Sequence, residues 1–401
     1  MRVLQINSVC GFGSTGKIMV DIHNLLIENG HESLMFYGRN KASGVDEKYA
    51  KRFNSKLDIL YHTFLTRFFD KHGFGSKRST RKMIKEIEKF NPDIIHIHNI
   101  HGYYLNIELL FNYFKKSKRK IVWTFHDCWP FTGHCAYFDY PSEGTHWENG
   151  MHTCHTKKSY PKSSLFDREK KNMNDKKRIF SNVDDLTIVT PSNWLKDLVN
   201  QSYLKQYNAL TIRNGIDLNV YKPIRSDIKE ILNIKDKRII LGVASGWEER
   251  KGLHFFLELS KLISKEEIII LVGVTTKQIS DLPNNIIGIQ RTNSMKELAE
   301  LYTAADVFVN PTLEDNYPTT NLEAQACGTK VVTFKTGGSP EGIFNSNGIV
   351  TSEKNSHELY EAIKTIFNDK DQVNVQMLAE NIDKYILFKK YIDLYKRIIN
   401  I

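Results

Sequence analysis

The sequence predicts an α/β protein made of two successive parallel sheets with crossover helices. Three observations carry this. Short β-rich runs alternate with amphipathic helical stretches along the whole chain, the alternation breaks once near the middle, and 401 residues suffice for two domains. Hydrophobic residues make up 41% and charged residues 25%, which fits a normally buried core.

In the first half, "RVLQINSV" reads as a strand and "GKIMVDIHNLLIENG" as a helix closed by Gly30. "ESLMFYG" is the next strand, and "STRKMIKEIEKFNP" is a helix that stops before Pro92. "DIIHIHN", "KIVWTFHD" and "LTIVTPS" are further strands. "NALTIRNGIDLNVYKP" then interrupts the pattern with the turn pair Asn214-Gly215 and with Pro223. A second series follows: strands "RIILGVASG", "EIIILVGV", "DVFVNP" and "KVVTFKTGG", and helices "KGLHFFLELSKLI", "SMKELAELYTAA" and "TTNLEAQACG". A long last helix carries an aromatic stripe of Tyr385, Phe388, Tyr391 and Tyr395, read as core packing. No tandem repeat is visible.

The five cysteines are an odd number, which argues against a full disulfide framework. No apolar run is long enough to span a bilayer. The chain opens directly on a strand, without a charged-then-apolar leader, and so reads as cytosolic. The net charge of +10 is concentrated. Residues 67–89 carry a surplus of five positive charges and residues 157–178 a surplus of six. Such a basic face suits an anionic partner, either a membrane surface, a phosphate-bearing substrate or a nucleic acid. The plain alternative is a solvated lysine-rich surface.

"CGFGSTGKI", residues 10–18, follows the first strand and nearly completes the phosphate loop of nucleotide triphosphatases. A strand, a Gly-rich turn and a helix start offer backbone N–H groups and a positive dipole end to an anion. Gly11, Gly13 and Gly16 permit close backbone approach. However, position 18 is Ile, so the hydroxyl that would hold Mg²⁺ is missing. A phosphate other than Mg–ATP is the better reading, with a P-loop-type nucleotide-binding enzyme as the alternative.

"NPTLEDNYPTTNLEAQACGTKVVTFKTGGSPE", residues 310–341, resembles the retaining glycosyltransferases of GT-B fold, the large family 4, also called glycosyl transferases group 1. An acidic residue, Asp315, stands eight positions before Glu323, ahead of a small-residue helix, Cys-Gly-Thr and a Gly-Gly-x-x-Glu turn. "RNGID" (213–217), "ERKG" (249–252) and "TPSNWLK" (190–196) resemble further family segments in the expected order.

The resemblance implies two Rossmann-like domains facing across a cleft. The first, residues 1–212, would bind the acceptor and take back a C-terminal helix, 379–401. Residues 213–222 would link it to a nucleotide-sugar domain at 223–378. The implied reaction moves a sugar, with retention at the anomeric carbon, from UDP- or GDP-sugar to a glycan. Relatives of this appearance act in colanic-acid, O-antigen or capsule assembly. The acceptor would be lipid-linked or an oligosaccharide, at the inner face of the plasma membrane.

The chemistry of a sugar nucleotide matches these residues. Ribose hydroxyls want a carboxylate, which Glu323 can supply at a helix start. A charge complementing the helix dipole is the plain alternative. The diphosphate wants cations and helix amides, from Arg250, Lys251 and the N–H groups of Thr319, Thr320, Asn321 and Leu322. Asp315 would meet the transferred sugar, with Glu314 as a rival. Gly246 stands where the family often has Arg. Arg250, Lys251 and the helix amides would stabilise the leaving diphosphate, so neither a metal nor another cofactor is called for. No nucleophile carboxylate is visible, which favours a same-face reaction assisted by the leaving phosphate.

In the first domain, Gly11 to Gly16 would cover the donor phosphates, and Lys17 would be a helix-start residue only. His126 matches a family His near the donor sugar, where it would orient hydroxyls or sense the acceptor; a strand-end His held by hydrogen bonds is the alternative. His98, His101, Asp127 and Trp129 lie where a parallel sheet places ligands and are acceptor-side candidates. Residues 126–161 are rich in Cys and His, and Cys135, His152, Cys154 and His155 could form a structural zinc site. The alternative is an aromatic-rich loop that shapes the acceptor pocket. Aromatics mixed with Arg and Lys in "LTRFFDKHGFGSKRSTRK" suit an anionic membrane interface. A polyanion-binding protein would also use the basic half, but no nucleic-acid motif appears and it would leave the Asp315–Glu323 spacing unexplained.

Overall fold

The computed structural model describes residues 1–138, 147–148, 151–152, 160–344 and 346–400. It divides into two compact units: Met1–Arg213 with Phe388–Ile401, and Asn214–Leu387.

In the first unit, strands β1 (Arg2–Asn7), β2 (Glu32–Tyr37), β3 (Ala50–Arg52), β4 (Ile94–Ile97), β5 (Lys120–Thr124), β6 (Leu186–Thr190) and β7 (Asn208–Thr211) form one sheet in the order β3-β2-β1-β4-β5-β6-β7. All its pairings are parallel. Leu4 pairs with Leu34 on one side and Ile95 on the other. The central strands β1, β4 and β5 are buried almost throughout, as a parallel sheet with helices on both faces requires. Strand order reverses between β1 and β4, so their C-terminal ends form a switch point where ligands bind.

The helices of this unit are α1 (Gly13–Glu28), α2 (Lys56–Phe69), α3 (Lys77–Phe90), α4 (Ile107–Ser117), α5 (Glu169–Phe180) and α6 (Asn193–Gln201). α1 buries Ile18, Met19, Ile22 and Leu26 on one face and is closed off by Gly30, whose φ is +74° and whose N–H donates to Ile27 O. α3 stops at Asn91, with φ +49°, one residue before Pro92. The core under the sheet is aromatic: Trp123, Phe111 and Phe180 pack with ring centroids 4.5–5.2 Å apart. A short antiparallel pair, Trp147–Glu148 with Met151–His152, stands apart from this sheet.

In the second unit, β8 (Arg238–Val243), β9 (Glu267–Val272), β10 (Ile286–Ile289), β11 (Val307–Asn310), β12 (Val331–Phe334) and β13 (Gly348–Thr351) form a parallel sheet in the order β10-β9-β8-β11-β12-β13. Its helices include α7 (Leu253–Leu259), α8 (Met295–Ala304), α9 (Thr319–Ala326) and α10 (Ser356–Asn368). The switch point here lies after β8 and β11.

The junction differs from the sequence expectation. Residues 214–222 are not a separate linker, because Ile216 and Tyr221 are buried in the core of the second unit. The Ile216 N–H donates to Ile382 O (2.8 Å) and the Lys384 N–H to Ile216 O (2.9 Å). Lys384 Nζ also pairs with Asp217 at 2.9 Å. These contacts keep 379–387 with the second unit, so the returning segment enters the first unit at Phe388.

The same contacts break the expected long helix. Asp383 leaves the helix to bridge Ile216, separating Ala379–Ile382 from α11 (Lys384–Ile398). In α11, Phe388, Tyr391 and Tyr395 are buried, whereas Tyr385 is exposed. Tyr395 Oη lies 2.6 Å from His96 Nδ1, and Tyr391 Oη lies 3.1 Å from Thr124 Oγ1, so α11 is fastened to the edges of β4 and β5.

Candidate active site

In the second unit, the site begins at a forced glycine. Gly252 has φ +77°, and a Cβ there would lie 2.3 Å from Pro311 O. This close approach seats the Glu249–Lys251 turn on the loop that leaves β11. Arg250 O accepts from Leu313 N (2.7 Å), and the Arg250 Nη1 donates to Glu314 O (3.3 Å). Lys251 Nζ and Asp315 Oδ2 form an ion pair at 2.5 Å, both mostly shielded from solvent. The other Asp315 oxygen accepts from Asn316 N at 2.9 Å. Glu314 is buried, so Asp315 is the accessible carboxylate of the two.

α9 follows directly. Thr319, Thr320 and Glu323 are its partly exposed residues, Glu323 lying on the same side as both threonines, four and three positions after them. Asn321, Leu322, Ala324 and Gln325 are fully buried. Sequence reasoning placed Asn321 and Leu322 at a ligand through their N–H groups. Their side chains point into the core, and the Asn321 N–H is given to Pro318 O at 3.2 Å.

The Asn321 side chain has a bracing role instead. Its Oδ1 accepts from Asn310 Nδ2 (2.8 Å), and its Nδ2 donates to Ser339 Oγ (3.1 Å). Gln325 Nε2 adds donations to Asn321 O (2.8 Å) and Gly342 O (2.6 Å). These bonds hold the start of α9 against the end of β11 and the turn after β12.

Glu323 accepts a hydrogen bond from Tyr302 Oη at 3.0 Å. Burial, and then the Glu323 carboxylate, raise the Tyr302 phenol well above its ordinary range and hold the Cys327 thiol at about 12. Both groups stay protonated, so Tyr302 can only donate, and it fixes one Glu323 oxygen. Gly246 has open space around its missing Cβ.

In the first unit, three of the sequence-selected glycines serve distinct geometric needs. A Cβ on Gly11 (φ +72°) would lie 1.8 Å from Ser43 O, and one on Gly16 would meet Gly11 N at 3.1 Å. Gly13 has φ +61° and open space. Lys17 is exposed.

At the ends of β4 and β5, histidines form a buried chain. Gln5 Nε2 donates to Met19 O (3.0 Å), which turns Gln5 Oε1 toward His98 Nε2 (3.2 Å). His98 Nδ1 then faces His126 Nε2 at 3.2 Å. Burial, the dominant cause, holds His126 at about 4 and pushes His98 and His96 well below the usual imidazole range. With all three neutral, the hydrogen bonds assign His98 as the Nε2–H tautomer and His126 as an Nε2–H donor to His98.

His101 Nε2 pairs with Asp127 Oδ2 at 2.8 Å, and its Nδ1 lies 3.2 Å from Tyr160 Oη. Burial raises Asp127, but His101, the Trp129 amide and His126 outweigh it and leave the carboxyl below its ordinary value. Trp129 is wholly buried, with Lys176 Nζ 3.6 Å from its ring centroid. His98, like Trp129, is almost wholly buried, and His101, Asp127 and His126 are buried as well. Gln5, Tyr160 and Lys176 belong to this cluster and were not singled out by sequence; Gln5 lies 93 residues from His98 along the chain.

Cys135 is disulfide-bonded and so offers no thiolate to zinc. Cys154 and His155 lie outside the described residues, and of His152 only the backbone is described. Among the described residues, no group of three or more His, Cys, Asp or Glu side chains could hold a metal ion. Nor, among them, is any helix long and apolar enough to cross a membrane.

Two parallel Rossmann-like units with their candidate residues at switch points are the architecture of the GT-B glycosyltransferases. The fold matches that of Anabaena HepE in complex with UDP at a TM-score of 0.69, covering 99% of this chain and 100% of that one at 15% identity. The chain belongs to glycosyltransferase family 4: the family description "Glycosyltransferase Family 4" matches residues 15–220, and "Glycosyl transferases group 1" matches residues 237–369. WcaC of Escherichia coli K12, named as a colanic acid biosynthesis glycosyl transferase, is 25% identical over 91% of this chain and 90% of its own length. The N,N'-diacetylbacillosaminyl-diphospho-undecaprenol α-1,3-N-acetylgalactosaminyltransferase of Campylobacter jejuni is 29% identical over 49% of this chain and 56% of its own.

Proposed function

We propose that this glycosyltransferase moves a sugar from a UDP- or GDP-sugar to a lipid-linked or oligosaccharide acceptor in bacterial surface polysaccharide synthesis, with retention at the anomeric carbon. One observation carries the donor half of the reading: Arg250, the Lys251–Asp315 pair and the open face of α9 are assembled by the loops that leave the neighbouring strands β8 and β11, at one switch point. In this reading, Glu323, held by the Tyr302 hydroxyl, accepts the ribose hydroxyls. The cations and the start of α9 take the diphosphate, and Asp315 orients the sugar.

Charge builds on the leaving diphosphate as the glycosidic bond lengthens. Arg250, Lys251 and the α9 amides neutralise it there, the service a metal ion performs in other transferases. The leaving phosphate then receives the acceptor proton on the face that the new bond uses. In the first unit, His126 and the His101–Asp127 pair serve the transferring sugar and the acceptor. The acceptor class is drawn from the names of the Escherichia and Campylobacter relatives, and UDP from the ligand of HepE. A cytoplasmic protein resting on the inner membrane surface fits such an acceptor.

A thermal-shift panel of nucleotide sugars tests the donor. One UDP- or GDP-sugar is expected to raise the melting temperature, and Glu323→Ala to weaken its binding roughly ten- to hundredfold, the worth of a charged hydrogen bond of about 1.5–3 kcal/mol. An unchanged affinity in Glu323→Ala would remove Glu323 from the donor site. Product anomer by NMR tests retention, and a trapped covalent glycosyl-enzyme would overturn the same-face mechanism.

A further inference from the structure

α2 is amphipathic the wrong way round for a helix packed on a protein core. Leu57, Leu60, Tyr61, Phe64 and Phe68 form a stripe at helical spacing, all exposed, from 39% for Phe68 to 76% for Leu57. The opposite face carries His62 and Thr66, which are buried. His62 fixes the helix through its ring: Nδ1 bonds Ser76 Oγ at 2.9 Å, while Nε2 accepts from Gly73 N at 3.1 Å and Gly75 N at 3.3 Å. The helix start is fixed as well, by a Ser55–Asp58 capping box and by Ser79 Oγ donating to Asp58 at 2.8 Å. The apolar outward face is thus held in place by polar anchors.

The stripe continues onto a second segment. Phe69 stacks on Phe166 with centroids 5.5 Å apart and planes 6° from parallel. Ser164 N donates to Arg67 O at 2.8 Å, which seats Leu165 and Phe166 beside the end of α2. Leu165 and Phe166 are also exposed. Of the sixteen large hydrophobic residues exposed among the described residues, eight lie in this one area.

Cations border it. Lys56 and Arg67 are exposed on α2, and Arg78, at the start of α3, acts electrostatically on Asp58. The two segments that supply the area's far end, 67–89 and 157–178, carry the chain's positive surplus.

We infer that α2 with Leu165 and Phe166 is a membrane-docking surface for an anionic lipid bilayer. The apolar side chains sit at the boundary of headgroups and acyl chains, and the bordering lysines and arginines meet lipid phosphates. A second copy of the chain is a poorer occupant, because a symmetric pairing would set two such positive borders against each other. The inference deepens the proposed reading, which names a membrane among the partners, and its test needs neither donor nor acceptor.

The experiment is flotation of the full chain with vesicles of phosphatidylglycerol and phosphatidylethanolamine, compared with phosphatidylcholine alone, at about 0.05 M and about 0.5 M salt. The wild type is expected to float with the anionic vesicles at low salt and to dissociate in part at high salt. The double variant L60E/F64E, which touches only exposed positions, is expected to lose binding at least tenfold while its thermal unfolding and nucleotide-induced shift stay as in the wild type. Equal flotation of variant and wild type, or no flotation of the wild type with anionic vesicles, would overturn the inference. So would a lipid-free wild-type dimer that the double variant converts to monomer. If lipid binding is lost while the nucleotide shift persists, the docking surface is separated from the donor site.

Discussion

Gly11 and Gly13 stand two residues apart in one loop and answer to different constraints. Gly11 combines a positive φ with a backbone oxygen where its Cβ would sit, whereas Gly13 has only the positive φ. Gly11→Ala is therefore expected to destabilise the first unit by roughly 3–5 kcal/mol, and Gly13→Ala by only about 1–2 kcal/mol, in urea denaturation. The histidine chain supplies a second prediction. In Gln5→Met the amide that fixes His98 is gone, so His98 and His126 can exchange tautomers. Transfer turnover is expected to fall several-fold with the donor KM little changed, and ¹⁵N chemical shifts of His126 should report mixed tautomers. An unaltered His126 spectrum would show that Gln5 does not set the tautomer.

α9 shows what a short helix needs before its first turn can serve a ligand. Asn321→Ala removes the partner of Asn310 Nδ2 and Ser339 Oγ at a fully buried position, and is expected to cost about 1–3 kcal/mol of stability in the second unit. Donor affinity is expected to fall with it, although the Asn321 side chain is buried in the core; isothermal titration alongside denaturation checks both.

α9 itself was legible in "TTNLEAQACG", because its small residues end at Gly328, whose φ is +88°. The Lys251–Asp315 pair was legible only as two separate motifs, since 64 residues separate its members and only the sheet order joins them. α2 was not legible as a helix. Its apolar residues do recur at helical spacing, but the residues that bury it are His62 and Thr66, which no hydrophobic pattern marks as inward. β10 escaped because four residues, Ile286–Ile289, between polar turns give no period to read. The break at Asp383 escaped because its cause is a bridge to Ile216, more than 160 residues away.

Taken whole, the molecule keeps its buried imidazoles in one place. His62, His72, His96, His98 and His126 all lie in the first unit, each lowered chiefly by burial. As pH falls through the ordinary imidazole value of about 6.5, the unfolded chain takes up protons that the native unit refuses. Stability is thus fully present above about 6.5 and drains as pH approaches the folded-state value, about 4 for His126. That one residue removes roughly 3 kcal/mol over the interval. The first unit is expected to lose hydrogen-exchange protection at pH 5 before the second. Simultaneous loss in both units would show that another set of groups governs the acid limit.

The crossing of the chain at 213–214 and again at 387–388 has a consequence for biosynthesis. The second unit is one uninterrupted segment and can fold as soon as it clears the ribosome. The first unit, although its larger part is translated first, lacks Tyr391 and Tyr395 until the whole second unit has been made, so His96 and Thr124 wait for their partners that long. Vectorial synthesis therefore completes these two units in the reverse of their order, and a chain that stops after residue 389 would carry a finished second unit and an unfinished first.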